Sequence, residues 1–175
     1  MSRAFVREND TDPGSSVLPE RPRTAHTNYV TSAGLAQLKA KFLALLTARA
    51  DLSRREDMEG KQLSLTVERD LRYFQDRLES AILVPPDTQP TDRVHFGATV
   101  HVVDEQEVRH VFQIVGEDEA DVARGKISWF SPLAKALLDA RVGDLVTWRR
   151  PLGDLELEVV AIYKLNAAPD ASDGA

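Results

Sequence analysis

Thr31–Val84 reads TSAGLAQLKAKFLALLTARADLSRREDMEGKQLSLTVERDLRYFQDRLESAILV, and its periodicity decides the fold. Apolar residues recur at alternating spacings of three and four: Leu35, Leu38, Phe42, Leu45 and Leu52, then Leu63, Val67, Leu71, Phe74, Leu78 and Ala81. Each run is a heptad-like stripe along one helix face. Neither run contains proline, and the only glycine between Leu35 and Val84 is Gly60. Two helices separated by a short polar break bury their stripes against each other as an antiparallel hairpin. Folding the stripes together pairs Leu52 with Leu63, Leu45 with Leu71, Phe42 with Phe74 and Leu38 with Leu78. These pairings centre near Met58, so the turn is expected at Asp57-Met58-Glu59-Gly60, with acidic residues at the tip of a helical finger. Arms of about 20–24 residues project about 30–35 Å. A one-seam core is thin, so the open end of the finger requires bracing by another domain.

Outward from the finger, residues 1–28 are polar and without period, with turn formers at Asn9–Ser16 and prolines at Pro19 and Pro22; a disordered tail is expected. Within it, Ser2–Val6 is a candidate docking segment. Thr31 or Ser32 can cap the first helix. The second arm is expected to run to Val84, because Pro85 disfavours helix at the residue before it. Residues 85–93 form a linker rich in proline and aspartate.

From Val94 the period becomes two. Ala98–Asp104 and Val108–Val115 read as an antiparallel pair around Glu105-Gln106-Glu107, and Lys126–Phe130 as a short strand. Ser131 with Pro132 starts a helix expected to reach about Arg141. Leu145–Arg149 and Leu155–Tyr163 make a hairpin, Glu117–Asp121 is an acidic loop, and the end from Asn166 is a loose tail. The fold class is therefore α+β: a helical hairpin, then a domain at 94–165 with an antiparallel sheet of four or five strands and one short helix.

Composition narrows the function. The net charge is −6, and its excess acid lies entirely in residues 85–175, with nine basic and sixteen acidic side chains. That distribution opposes direct wrapping of a nucleic-acid backbone. The chain has no cysteine, so disulfides, cysteine nucleophiles and thiolate metal sites are excluded. No apolar run approaches the roughly 18 residues of a membrane span, and the start lacks an apolar signal region. A cytoplasmic monomer is expected. His26, His95, His101 and His110 lack ligand-like spacing, although His101 and His110 could face each other across a hairpin. No phosphate-binding glycine motif is present, and Ser131 has no triad partners.

FGATVHVVD, FQIVGEDEAD, KISWFSPLAKALLDARVGDLVTW and PLGDLELEVVAI, together with YVTSAGLAQLKAKF at the start of the finger, resemble the bacterial Gre transcription elongation factors over residues 29–164. The resemblance implies a coiled-coil finger followed by a C-terminal domain of FKBP-like fold. That domain would dock on the rim of the secondary channel of RNA polymerase, and the finger would enter the channel. Nucleic acid would be met only inside that complex. Acidic residues at the family's tip help hold a second Mg2+ that drives cleavage of backtracked RNA; the chain would bind no cofactor by itself and catalyse nothing alone.

The tip departs from the family's G-D-[LRK]-[SK]-E-N-A-[DE]-Y. The nearest stretch is Ala50–Met58, in which Asp51 and Asp57 match the two aspartates, while Arg54 and Arg55 replace the glutamate and asparagine. Asp51 and Asp57 are the candidate ligands of the shared Mg2+, with Glu56 and Glu59 available to replace the lost carboxylate. Magnesium requires hard oxygen ligands, and a guanidinium beside such an ion opposes it. Arg54 and Arg55 are candidate contacts to nucleic acid or to polymerase acids. Trp129, Phe130, Ser131 and Pro132 match the family's docking loop, with Phe130 where GreB-type chains carry aspartate. The resemblance thus implies a polymerase regulator, and the departures at the tip point away from stimulation of transcript cleavage. Alternatives are a cleavage factor with a rearranged tip, a regulator of nucleoside diphosphate kinase, a prolyl isomerase on the shared fold, and a module binding another protein.

Overall fold

The computed structural model describes residues 18–164; the candidate docking segment Ser2–Val6 and the tail from Asn166 lie outside them. Two long helices form the finger, α1 (Ser32–Leu52) and α2 (Met58–Glu79). Thr31 caps α1 by accepting the Gly34 N–H at 3.0 Å, and Asp57 caps α2 by accepting the Gly60 N–H at 3.1 Å. The turn is therefore Ser53–Glu56, a few residues earlier than the stripes place it. Met58, Glu59 and Gly60 are already the first turn of α2, because the Asp57 carboxylate satisfies an amide there and fixes the helix start.

The stripes meet as expected, but unevenly. Val30, Leu38 and Phe74 are buried together, with Leu35, Phe42, Leu45, Tyr73, Leu78 and Ala81 packed around them. Burial fades toward the tip: Leu38 is 1% exposed and Leu63 42%. The finger is thus held from its base.

At that base α2 stops at Glu79, short of the expected Val84. Ile82–Leu83 instead form a strand, β2, paired in parallel with β1 (Tyr29–Val30). The entering and leaving chains are tied there by Ile82 N–H to Asn28 O and Val84 N–H to Val30 O.

The second unit is a five-stranded sheet of β3 (Thr99–Asp104), β4 (Arg109–Val115), β5 (Lys126–Ser128), β6 (Leu145–Trp148) and β7 (Leu155–Tyr163), ordered β5-β4-β3-β7-β6. It is antiparallel except for β4 with β5, which are parallel, a correction to the wholly antiparallel expectation. The two short turns Glu117–Glu119 and Val122–Arg124 carry the chain back to the start of β5 and permit that pairing. The short helix α3 (Pro132–Leu137) starts at the Ser131 cap and stops before Arg141. Asp139 takes φ of 66°, and the chain turns to pair Asp139 and Ala140 with Val94. The core between sheet and α3 contains Val100, Val102, Ile114, Leu133, Leu137, Leu157 and Val159. No helix among the described residues is long and apolar enough to cross a membrane.

Residues 18–28, expected to be tail, form a strap against α2. Glu20 accepts from Arg72 at 2.9 Å, Arg21 lies over the Tyr73 ring at 3.9 Å, and Arg23 pairs with Asp76. Asn28 is buried and donates to Arg77 O at 2.7 Å and Ser80 Oγ at 3.1 Å. Their polarity concealed this order, because the partners lie on α2, about fifty residues away in sequence.

Candidate functional site at the finger tip and the aromatic loop

The turn between the helices is polar, so it is exposed, and Ser53–Glu59 carry the whole tip into solvent. Arg55 dominates it. Its Nε donates to Asp57 Oδ1 at 3.1 Å, and its Nη2 donates to Asp57 Oδ2 at 2.6 Å and Glu59 Oε2 at 3.2 Å. This is a planar fork on one carboxylate with a reach to a second. The Arg55 hydrogen bonds, with the Gly60 amide, hold Asp57 below the ordinary carboxylate range, and Asp57 followed by Glu59 raises Arg55 above its own.

Asp51 lies in the last turn of α1, exposed, and its carboxylate is without a hydrogen bond or ion pair among the described residues. Glu56 and Arg54 are likewise exposed. No group of three potential ligands to a metal occurs among the described residues. As a donor set for Mg2+ these carboxylates fit poorly: Asp57 and Glu59 already share a resident cation, and Asp57 also caps a helix. The sequence reading located Arg55 but not this clamp, which depends on where α2 begins.

Trp129 and Phe130 follow β5 and precede the Ser131 cap of α3, so the loop is fixed at both ends. Both rings are half-buried, and Trp129 packs against the core of the sheet domain, to which Phe130 does not belong. Trp129 meets Tyr29 edge-on at 5.2 Å. Phe130 stacks on His26 of the strap and carries Lys135 Nζ 3.4 Å from its ring centre. Ser131 is committed to its cap, accepting from Ala134 N–H at 3.2 Å, and Pro132 is exposed.

The acidic loop at Glu117–Asp121 joins the two units. Glu117 accepts from Thr24 of the strap at 2.6 Å and lies 3.6 Å from Arg77. Asp118 accepts from Tyr73 at 2.8 Å and from Arg77 Nε at 2.5 Å. Glu119, buried, accepts from Thr31 N–H at 3.0 Å, Thr31 Oγ1 at 2.5 Å and Gly116 N–H at 3.3 Å. Burial first, then the bond to Asp118, pushes the Tyr73 phenol up to about 12. Gly34 belongs to the same device, because a Cβ there would run into the Glu119 carboxyl group.

The remaining candidates separate. His101 pairs across from Val111, and Val102 from His110, so the two histidines lie on opposite faces of the sheet, correcting the expected meeting. His95 is buried with Nδ1 2.7 Å from Phe96 O. The aromatic rings of the sheet domain fall into separate groups, Phe112 with Trp148, Phe96 and Trp129 with Tyr29, and Tyr163 with His101.

Three comparisons bear on this arrangement. A family model for the C-terminal domain of the transcription elongation factors GreA and GreB matches residues 89–164. The chain is 36% identical over 155 residues to the transcription elongation factor GreB of Neisseria meningitidis serogroup B, covering 79% of this chain and 95% of that protein. It is 40% identical over 140 residues to GreA of Sphingopyxis alaskensis, covering 76% of this chain and 89% of that one. Among solved structures, GreA factor homolog 1 of Thermus thermophilus is 27% identical, covering 79% of this chain and 99% of that one, with a TM-score of 0.39.

Proposed function

The chain belongs to the GreA/GreB family of transcription elongation factors, and from that premise we propose that it regulates RNA polymerase by occupying the secondary channel without supplying the acidic tip that stimulates transcript cleavage. The C-terminal domain docks on the channel rim through the loop at Trp129–Pro132, and the finger reaches inward as a monomer. It acts as a cofactor protein of the polymerase, in the cytoplasm, and meets nucleic acid only there.

The observation that carries this reading is the Arg55 fork on Asp57 and Glu59 at the far end of the finger. A second catalytic metal must be held by open oxygen donors close to the first ion. A guanidinium on the same oxygens neutralises them and adds positive charge beside the place such an ion would take. The acidic clamp at the base supports the other half of the reading, since a probe that must enter a channel requires a fixed direction. Glu117, Asp118 and Glu119 tie strap and helices to the sheet domain.

The test compares binding to core RNA polymerase with RNA cleavage in backtracked elongation complexes. Binding without stimulated cleavage is expected. Stimulated cleavage that is lost in Asp51→Ala, Asp57→Ala or Glu59→Ala would overturn the reading and identify a rearranged catalytic tip.

A further inference from the structure

We propose that residues 18–28 act as an autoinhibitory strap, which covers the aromatic docking loop and must lift before the loop engages its partner. The proposal rests on the reading above, in which that loop docks on polymerase. Trp129 packs against the core of the sheet domain, so Phe130 is the ring the loop has to offer, and the chain already uses it. His26 stacks on the ring, and Lys135 Nζ sits 3.4 Å from its centre. Two groups that close cannot share one face, so both faces are occupied. A partner approaching the loop meets the strap first.

The strap is built to detach. Its ties near the loop are Thr24 to Glu117 at 2.6 Å, Arg23 to Asp76 at 2.5 Å and the His26 stack. The Arg23 side chain is 57% exposed and that of Asp76 36%, and ion pairs so exposed are weak and screened by salt. A groove of about 320 Å3 remains between strap and loop, lined by Thr24, His26, Glu117, Trp129, Phe130 and Ser131. Away from the His26 stack, strap and loop are therefore not closely packed. The buried anchor is Asn28, at the end of the strap. A segment pinned at one end and lightly held along its length is a hinged cover. The partner's apparent affinity falls by the fraction of molecules in which the cover is open.

The test uses the full chain carrying Arg23→Ala, Thr24→Val and His26→Ala together, with His26→Ala alone as a second variant that leaves the ion pair and hydrogen bond in place. Backbone 15N relaxation follows the mobility of 18–28 and 128–131, and titration with core RNA polymerase gives the affinity. Greater mobility of 18–28 with binding about tenfold tighter is expected, the value for a cover closed in about nine molecules of ten, and His26→Ala alone is expected to give a smaller change in the same direction. Greater mobility with unchanged or weaker binding overturns autoinhibition while leaving polymerase docking intact. Unchanged mobility in both variants overturns the strap's attachment through these residues. If neither wild type nor variant binds polymerase, the docking reading itself fails, and the inference with it.

Discussion

Glu119 and Thr31 stand 88 residues apart in sequence, yet one carboxylate accepts both the backbone N–H and the hydroxyl of that threonine, at 3.0 and 2.5 Å. Thr31 simultaneously caps α1. The residue that starts the finger is thereby the residue that fixes it to the sheet domain. Buried hydrogen bonds to a charged group are worth about 1.5–3 kcal/mol each. Glu119→Ala is expected to cost about 2–3 kcal/mol in urea denaturation and to speed amide exchange at the base of α1. A loss below about 0.5 kcal/mol, the range of an ordinary surface change, would show that this junction is not a stabilising one.

Gly34 faces the same carboxylate, with no room for a Cβ. In an isolated helix Gly→Ala stabilises by up to about 1 kcal/mol. Here Gly34→Ala is expected to destabilise by about 1–3 kcal/mol through overpacking against Glu119. The sign of the change in denaturation midpoint decides between helix propensity and the clamp.

At the other end of the finger, Arg55→Gln removes the cation from Asp57 and Glu59. Mg2+-dependent cleavage of backtracked RNA is expected to rise several-fold over the wild-type chain, with polymerase affinity nearly unchanged. Equal cleavage by the two proteins would mean that Arg55 is not what silences the tip.

Tyr73 donates to Asp118 and has its phenol pushed up to about 12. The unfolded phenol ionises near pH 10. Folding therefore favours the protonated form. This contribution is complete below about pH 10 and is lost as pH rises from about 10 toward 12. Melting temperature is expected to fall over that window in the wild type and to fall less in Tyr73→Phe. Parallel curves for the two proteins would remove Tyr73 from the linkage.

The gradient of burial along the finger gives a paired prediction. Leu38, 1% exposed, sits in the base cluster, and Leu63, 42% exposed, lies near the tip. Leu38→Ala is expected to cost about 2–5 kcal/mol, and Leu63→Ala less than about 1 kcal/mol. Equal losses would mean that the seam is uniform along its length.

The two long helices, their antiparallel pairing and the change to period two beyond Val94 were legible along the chain. These rest on local periodicity and on caps a few residues away, such as Ser131 with Ala134. The sequence pattern misplaced the turn because stripe matching averages over whole helices, whereas the helix start is set by one carboxylate, Asp57 on Gly60. That Glu117, Asp118 and Glu119 are three anchors, that polar residues 18–28 lie against α2 and that Phe130 is covered emerged only on folding, because the groups involved are far apart along the chain. Each of those partners lies roughly forty to a hundred residues away in sequence, and an acidic or polar run looks the same whether it faces water or a buried threonine.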